Sequence, residues 1–75
     1  MNIKISNLTK QHKVISIEGK LESIKAAADK IDEQKHAYHL DYLDFTETEN
    51  GRAVAEFVSH RRHHKKAADF IRSFI

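Results

Sequence analysis

Residues 13–33, KVISIEGKLESIKAAADKIDE, contain the change in hydrophobic period that decides the fold. Before Gly19, Ile15 and Ile17 alternate with polar neighbours, as in a strand that buries one face. After Lys20, apolar residues recur every three or four positions, which predicts an amphipathic helix. Gly19 interrupts the pattern and marks the junction between strand and helix. The apolar arc of the helix consists of Leu21, Ile24, Ala27, Ala28 and Ile31.

A further strand is predicted upstream of this junction. Ile3 and Ile5 alternate with polar residues, and residues 9–12 form the predicted turn of a hairpin between the two strands. Residues 1–10 contain no long apolar run, so we expect neither a secretory signal nor a membrane span. The chain has no cysteine, which suits a reducing compartment, and we expect a cytoplasmic protein.

Downstream, residues 37–46 are predicted to form a strand, residues 49–51 a tight turn, and residues 53–58 the returning strand. The apolar residues of the first of these strands change phase along its length. Tyr38, Leu40 and Tyr42 would share one face, and Leu43 and Phe45 the other. Such a change indicates either a β-bulge or a strand with apolar groups on both faces.

Residues 59–75 have the period of a second helix. Its apolar arc contains Ala67, Ala68, Phe70, Ile71, Phe74 and Ile75, and is continued toward the helix start by His60, His63 and His64. The resulting ββαββα order predicts an α+β fold, in which a small antiparallel sheet carries two helices on one face. No proline, linker or repeat interrupts the chain, so residues 1–75 are expected to form a single domain.

The net charge of +2 conceals a strongly polarised sequence. Residues 36–50 contain four acidic residues and no Lys or Arg, whereas residues 51–75 contain six Lys or Arg against two acidic residues. Such polarity bears on the partners of a protein rather than on its fold.

The candidate nucleic-acid or anion-binding residues lie in the last segment. They are Arg52, Arg61, Arg62, Lys65, Lys66 and Arg72. Residues 61–66 fall in the first turns of the predicted helix, where cations oppose the helix dipole. An anionic partner would compensate, because backbone N–H groups, the dipole and several cations together bind phosphate. We therefore expect a small non-enzymatic protein that engages nucleic acid or a ribonucleoprotein, although a merely solvated helix face would have the same pattern.

The run Lys65-Lys66-Ala67-Ala68 resembles the Lys-Lys-x-Ala pattern that opens the last helix of double-stranded-RNA-binding domains. In that family the lysines contact phosphates across a groove, so the resemblance implies the same role for Lys65 and Lys66. It covers only the C-terminal part of the chain. The family has a helix, three strands and a helix, whereas this chain begins with a predicted hairpin, so the chain is not assigned to it.

The second hypothesis is a protein-interaction module, such as an inhibitor or adaptor of a larger complex. If the helices cover one face of the sheet, part of the aromatic strand faces outward, and exposed apolar patches mark partner surfaces or homodimers. Flanking carboxylates could imitate nucleic acid or meet a basic protein. The candidate residues are Tyr38, Tyr42, Asp41, Asp44 and Phe45. Phage-encoded inhibitors of host defence, such as anti-CRISPR proteins, are of this size, but no motif links the chain to them.

Six histidines raise the question of a metal site. His60 and His64 have the i, i+4 spacing of helical metal ligands, and His36 and His39 could add to them. No acidic residue or cysteine completes a ligand pattern, so we expect partly buried, uncharged histidines, with no metal and no other cofactor. The cluster could also sense pH. The sequence has no Gly-rich phosphate loop, nucleophile elbow or zincin helix, so we expect no enzymatic activity.

Overall fold

The computed structural model describes residues 1–74, which form strands and helices in the predicted ββαββα order. The elements are β1 (Asn2–Asn7), β2 (His12–Lys20), α1 (Leu21–Glu33), β3 (Leu40–Thr48), β4 (Arg52–His60) and α2 (His64–Arg72). Short 3₁₀ turns at Lys35–Tyr38 and Glu49–Gly51 complete the connections. Within residues 1–74, no helix has the length and apolar character needed to cross a membrane.

The strands form one sheet in the order β1-β2-β4-β3, and every neighbouring pair is antiparallel. β2 and β3 therefore run in the same direction on either side of β4, and α1 connects them. This is a split β-α-β arrangement, in which the chain returns through the middle of the sheet. Because β2 and β4 are neighbours, the ends of the sheet bring together residues from distant parts of the chain.

Both helices pack on the same face of the sheet, as predicted, and one apolar core fills the space between. α1 buries Ile24, Ala27, Ala28 and Ile31, and α2 buries Ala67, Ala68 and Ile71. The sheet contributes alternate residues of its central strands, among them Ile15, Ile17 and Phe57, all with no exposed surface. This is the burial that the period-2 patterns of β2 and β4 predict.

β3 contains a β-bulge, which confirms one of the two alternatives for its phase change. The register shifts between Tyr42 and Asp44, so Leu43 has no partner in β4 and is 48% exposed. Tyr42 and Phe45 pair with Phe57 and Ala55, which share the core face of β4. The prediction that Phe45 lies on the face opposite Tyr42 is therefore wrong, because the extra residue resets the alternation.

The strand predicted over residues 37–46 begins only at Leu40. The preceding residues form the 3₁₀ turn, and His39 ends that turn in the left-handed region with φ 55°. Tyr38 therefore shares no strand face with Tyr42, contrary to the prediction. Its ring instead stacks on Phe70 of α2, with centroids 3.9 Å apart and planes inclined by 4°. The preference of aromatic residues for strands comes mainly from side-chain packing in a sheet. For Tyr38, packing against α2 replaces it.

The helix predicted over residues 59–75 is shorter and runs from His64 to Arg72. Ser59 and His60 extend β4, where His60 pairs with His12, and residues 61–63 form a turn. The helix starts later than predicted because the pairing of β2 with β4 continues to the first residue of β2. Each further pair adds backbone hydrogen bonds to the sheet. The predicted apolar arc of the helix also includes Ile75, which lies outside the described residues.

Candidate anion-binding site

One end of the sheet collects basic residues from three segments of the chain. Here β1 ends, β2 and β3 begin, β4 ends, and α2 starts. The antiparallel register places the β1–β2 turn beside residues 61–63, and the Arg61 N–H donates to the Gln11 carbonyl at 2.8 Å. We call this region the basic end. Its cations are Lys10, Lys13, Arg61, Arg62, Lys65 and Lys66.

A cleft of about 390 Å³ opens between the β1–β2 turn and Arg61. It is lined by Lys10, Lys13 and Arg61 together with Asn7 and Thr9. The Thr9 hydroxyl accepts the backbone N–H groups of Gln11 at 3.2 Å and His12 at 3.1 Å, which fixes the turn. Three cations and two polar side chains around one opening form a lining suited to a phosphate group.

A second cleft, of about 320 Å³, lies between β1 and α2. Its lining consists of Ile5, His64, Lys65, Ala68, Asp69 and Arg72. Residues of the two linings are linked, because Ile5 and Asn7 lie on the same face of β1 and His64 donates its Nδ1–H to the Arg61 carbonyl at 2.8 Å. We call the two clefts together the basic groove. Arg72 is paired with Asp69 at 3.3 Å, so it contributes less free charge to this groove.

The cations of the basic end have no acidic partner among the described residues. The ion pairs of residues 1–74 join Lys35 to Asp32, Arg52 to Glu18 and Arg72 to Asp69, and none involves the basic end. Uncompensated charge of one sign creates a local potential that attracts anions.

The start of α2 only partly matches the predicted opposition to the helix dipole. Lys65 and Lys66 do lie in its first turn, which contains no acidic residue. Arg61 and Arg62 do not, because they precede the helix in the turn that follows β4. His63 occupies the N-cap position without a side-chain capping bond. The positive end of the helix therefore faces the same region as the cations.

The histidines do not lie along one helix face, and His64 lines the second cleft of the groove. His60 belongs to β4 and His64 to α2, so they are not ligands one helical turn apart, contrary to the predicted spacing. His39 and His63 stack with ring centroids 4.0 Å apart. Among the described residues, no group of three or more His, Cys, Asp or Glu side chains is placed to hold a metal ion.

Arg52 is the predicted anion-binding residue that lies far from the others. It begins β4, eight residues from His60, which corresponds to about 27 Å along a strand. There it contacts Glu18 at 3.8 Å, and both side chains are about half exposed. The prediction missed Lys10 and Lys13, which line the cleft with Arg61. Their place beside a hairpin turn was visible in the sequence, but only the strand order brings that turn to Arg61.

The residues predicted for protein interaction do not form one surface. Tyr42 and Phe45 point to the helix side of β3, whereas Asp41 and Asp44 pair with Val58 and Glu56 on the open face of the sheet. The Asp44 carboxylate accepts the Phe45 N–H at 2.9 Å and thereby supports the bulge. Tyr42 is 37% exposed.

No protein-family model, curated protein or solved structure matches this chain. The element order also differs from the helix, three strands and helix of double-stranded-RNA-binding domains. Functional inference therefore depends on the geometry of the site.

Proposed function

We propose that this protein binds nucleic acid, free or within a ribonucleoprotein, through its basic end and without a catalytic step. The observation that supports the proposal is the convergence, on one end of the sheet, of six cations from three chain segments that have no acidic partner within residues 1–74. Lysine and arginine side chains make most contacts between proteins and nucleic-acid phosphates.

The basic groove favours recognition of the backbone over recognition of bases. Phosphate contacts position a protein on nucleic acid but carry no sequence information, whereas base readout needs side chains that reach base edges. The first cleft is lined by Lys10, Lys13 and Arg61, whose charged groups suit phosphate oxygens. We therefore expect affinity that depends strongly on salt and weakly on sequence.

Fluorescence anisotropy with labelled duplex and single-stranded oligonucleotides at several salt concentrations tests the proposal. For duplex DNA, the double variant Lys10→Gln, Arg61→Gln should reduce the slope of log K against log salt by about two, because about two phosphate contacts are lost. Its affinity at low salt should fall by at least about tenfold.

The double variant Lys4→Gln, Lys25→Gln is the matched control. It removes the same amount of charge from two exposed lysines on β1 and α1, which lie outside the basic groove. We expect nearly wild-type affinity and slope. Equal losses in both double variants would show that net charge alone drives binding, and no binding by the wild type would refute the proposal.

A second candidate function, an inhibitor or adaptor that binds protein, is supported by the bulge in β3. Tyr42 and Leu43 are 37% and 48% exposed on an edge strand, and edge strands with exposed apolar groups are sites of association. Sedimentation velocity over a range of concentrations, for wild type and Leu43→Ser, tests whether this edge joins two copies of the chain. Self-association lost in the variant would support the candidate, and a monomer at all concentrations would count against a homodimer.

A further inference from the structure

Four imidazole rings cross the basic end in a row. His12 and His60 are cross-strand partners, with ring centroids 5.5 Å apart in an edge-to-face arrangement. The His60 ring lies 6.2 Å from that of His63, which stacks on His39 at 4.0 Å with the planes inclined by 19°. We call these four residues the histidine row. The turn at residues 61–63 belongs to both the row and the basic groove, because it contains His63 of the row and Arg61 of the first cleft.

The charges around the row are mainly positive. Arg62 from the turn and Lys66 from α2 act on His63, as do the neighbouring rings of His39 and His60. Partial burial and then these groups lower the pKa of His63. In the free protein these surroundings therefore disfavour the charged form of this ring.

Elements on the other sides of the row add few opposing charges. Asp41 of β3 lies diagonally across the ladder from His60, and Lys13 follows His12 on β2 with its side chain on the opposite face. His36 precedes His39 in the 3₁₀ turn and is exposed. Within residues 1–74, no ring of the row forms an ion pair with a carboxylate.

Hydrogen bonds identify the Nδ1 atoms of two rings of the row as acceptors. His60 Nδ1 accepts the backbone N–H of Arg62 at 3.2 Å. His12 Nδ1 lies 3.2 Å from the Thr9 hydroxyl, which already accepts two backbone N–H groups and so has its own proton to donate. In these neutral tautomers the proton of each ring is on Nε2.

We propose that the histidine row couples binding at the basic end to protons, so that a bound polyanion draws protons onto the row and nucleic-acid affinity rises as the pH falls below about 7. This inference rests on the proposed function. An anion beside an imidazole favours its charged form, and a phosphate would offset the cations that oppose protonation in the free protein. Thermodynamic linkage is reciprocal. If the bound anion favours protonation of the row by some factor, protonation of the row must raise the affinity for the anion by the same factor.

Binding of an oligo-deoxythymidine of about 20 nucleotides tests the inference, because thymine does not titrate between pH 5 and 8. Calorimetry at pH 6.5 in two buffers of different ionisation enthalpy measures the protons taken up per complex. We expect about one proton, and a rise in the association constant of about tenfold per pH unit between pH 7.5 and 6 for each proton taken up.

The variant His39→Asn, His63→Asn should lose at least half of this proton uptake and flatten the pH profile, while it retains salt-dependent binding at pH 7.5. His36→Asn, outside the row, is the control and should behave as wild type. Circular dichroism checks that each variant folds, and His12→Asn, which removes an exposed ring at the start of β2, replaces the double variant if that one does not fold.

The outcomes separate the two proposals. No binding at any pH refutes the proposed function and the inference with it. Binding without proton uptake, or uptake that is unchanged in both His39→Asn, His63→Asn and His12→Asn, refutes the inference alone.

Discussion

Replacement of Ser59 by alanine is expected to stabilise the protein. Ser59 lies on the core face of β4, is 1% exposed, and its hydroxyl has no hydrogen-bond partner among the described residues. A buried hydroxyl without a partner costs about 1–3 kcal/mol of desolvation. Alanine removes that cost and leaves a void of about 10 Å³, which at about 24 cal/mol per Å³ destabilises by only about 0.2 kcal/mol. The net gain is therefore at least about 1 kcal/mol.

Urea and thermal unfolding followed by circular dichroism measure this gain. For a domain of this size, 1 kcal/mol corresponds to a rise in Tm of about 4–8 °C. Ser16→Ala is the matched control, because Ser16 lies on the neighbouring strand β2, is half-buried, and donates its hydroxyl to the Lys4 carbonyl at 3.4 Å. The control should be neutral or slightly destabilising. A Ser59→Ala variant less stable than wild type would show that the hydroxyl has a partner and would refute the reasoning.

Three further predictions concern other parts of the fold. Tyr38→Ala removes the stack on Phe70 and should lower the free energy of unfolding by about 2–3 kcal/mol, as measured by urea titration. Gly51→Ala should lower it by about 1 kcal/mol, because φ is +70° there and a Cβ would contact nothing that compensates for the strain. Partial burial and then the neighbouring rings of His39 and His60 lower the pKa of His63 in the folded state below its ordinary value of 6.5, so the unfolded chain binds that proton first and stability falls as the pH drops below 6.5. Tm measured from pH 7.5 to 5 should therefore decline less in His63→Asn than in wild type, and an equal decline would contradict the assignment.

Hydrophobic period was sufficient to predict the class, the element order and the face on which the helices pack. The change of period after Gly19 located the start of α1 to within one residue, and the predicted apolar arc is the buried face of the helix. Periodicity gave wrong predictions where tertiary contacts determine the local structure. Tyr38 has strand-like neighbours in sequence, but its stack on Phe70 places it in a 3₁₀ turn. In the sequence, His60 continues the apolar arc of the predicted helix, but in the structure it pairs with His12 and belongs to β4.

The candidate site was predictable only in part for the same reason. Arg61 and Lys65 stand out because they lie in a local run of positive charge. Lys10 and Lys13 are ordinary lysines near a hairpin turn, and their relation to Arg61 depends on β4 lying next to β2. Such a long-range pairing leaves no signature in one sequence. Arg52 was included because it shares a charged segment with the others, although the length of β4 separates them.

The pairing of His12 with His60 also makes the basic end a property of the whole molecule. A fragment ending after α1 would retain Lys10 and Lys13, and the remaining fragment would retain Arg61, so neither half would possess the cleft. A ligand that bridged the cleft would tie the first hairpin to the last helix, and would therefore raise the free energy of global opening rather than stiffen one segment. Amide hydrogen exchange in β2 and β4 would slow together on binding, and the same dependence makes ligand capture a test of complete folding.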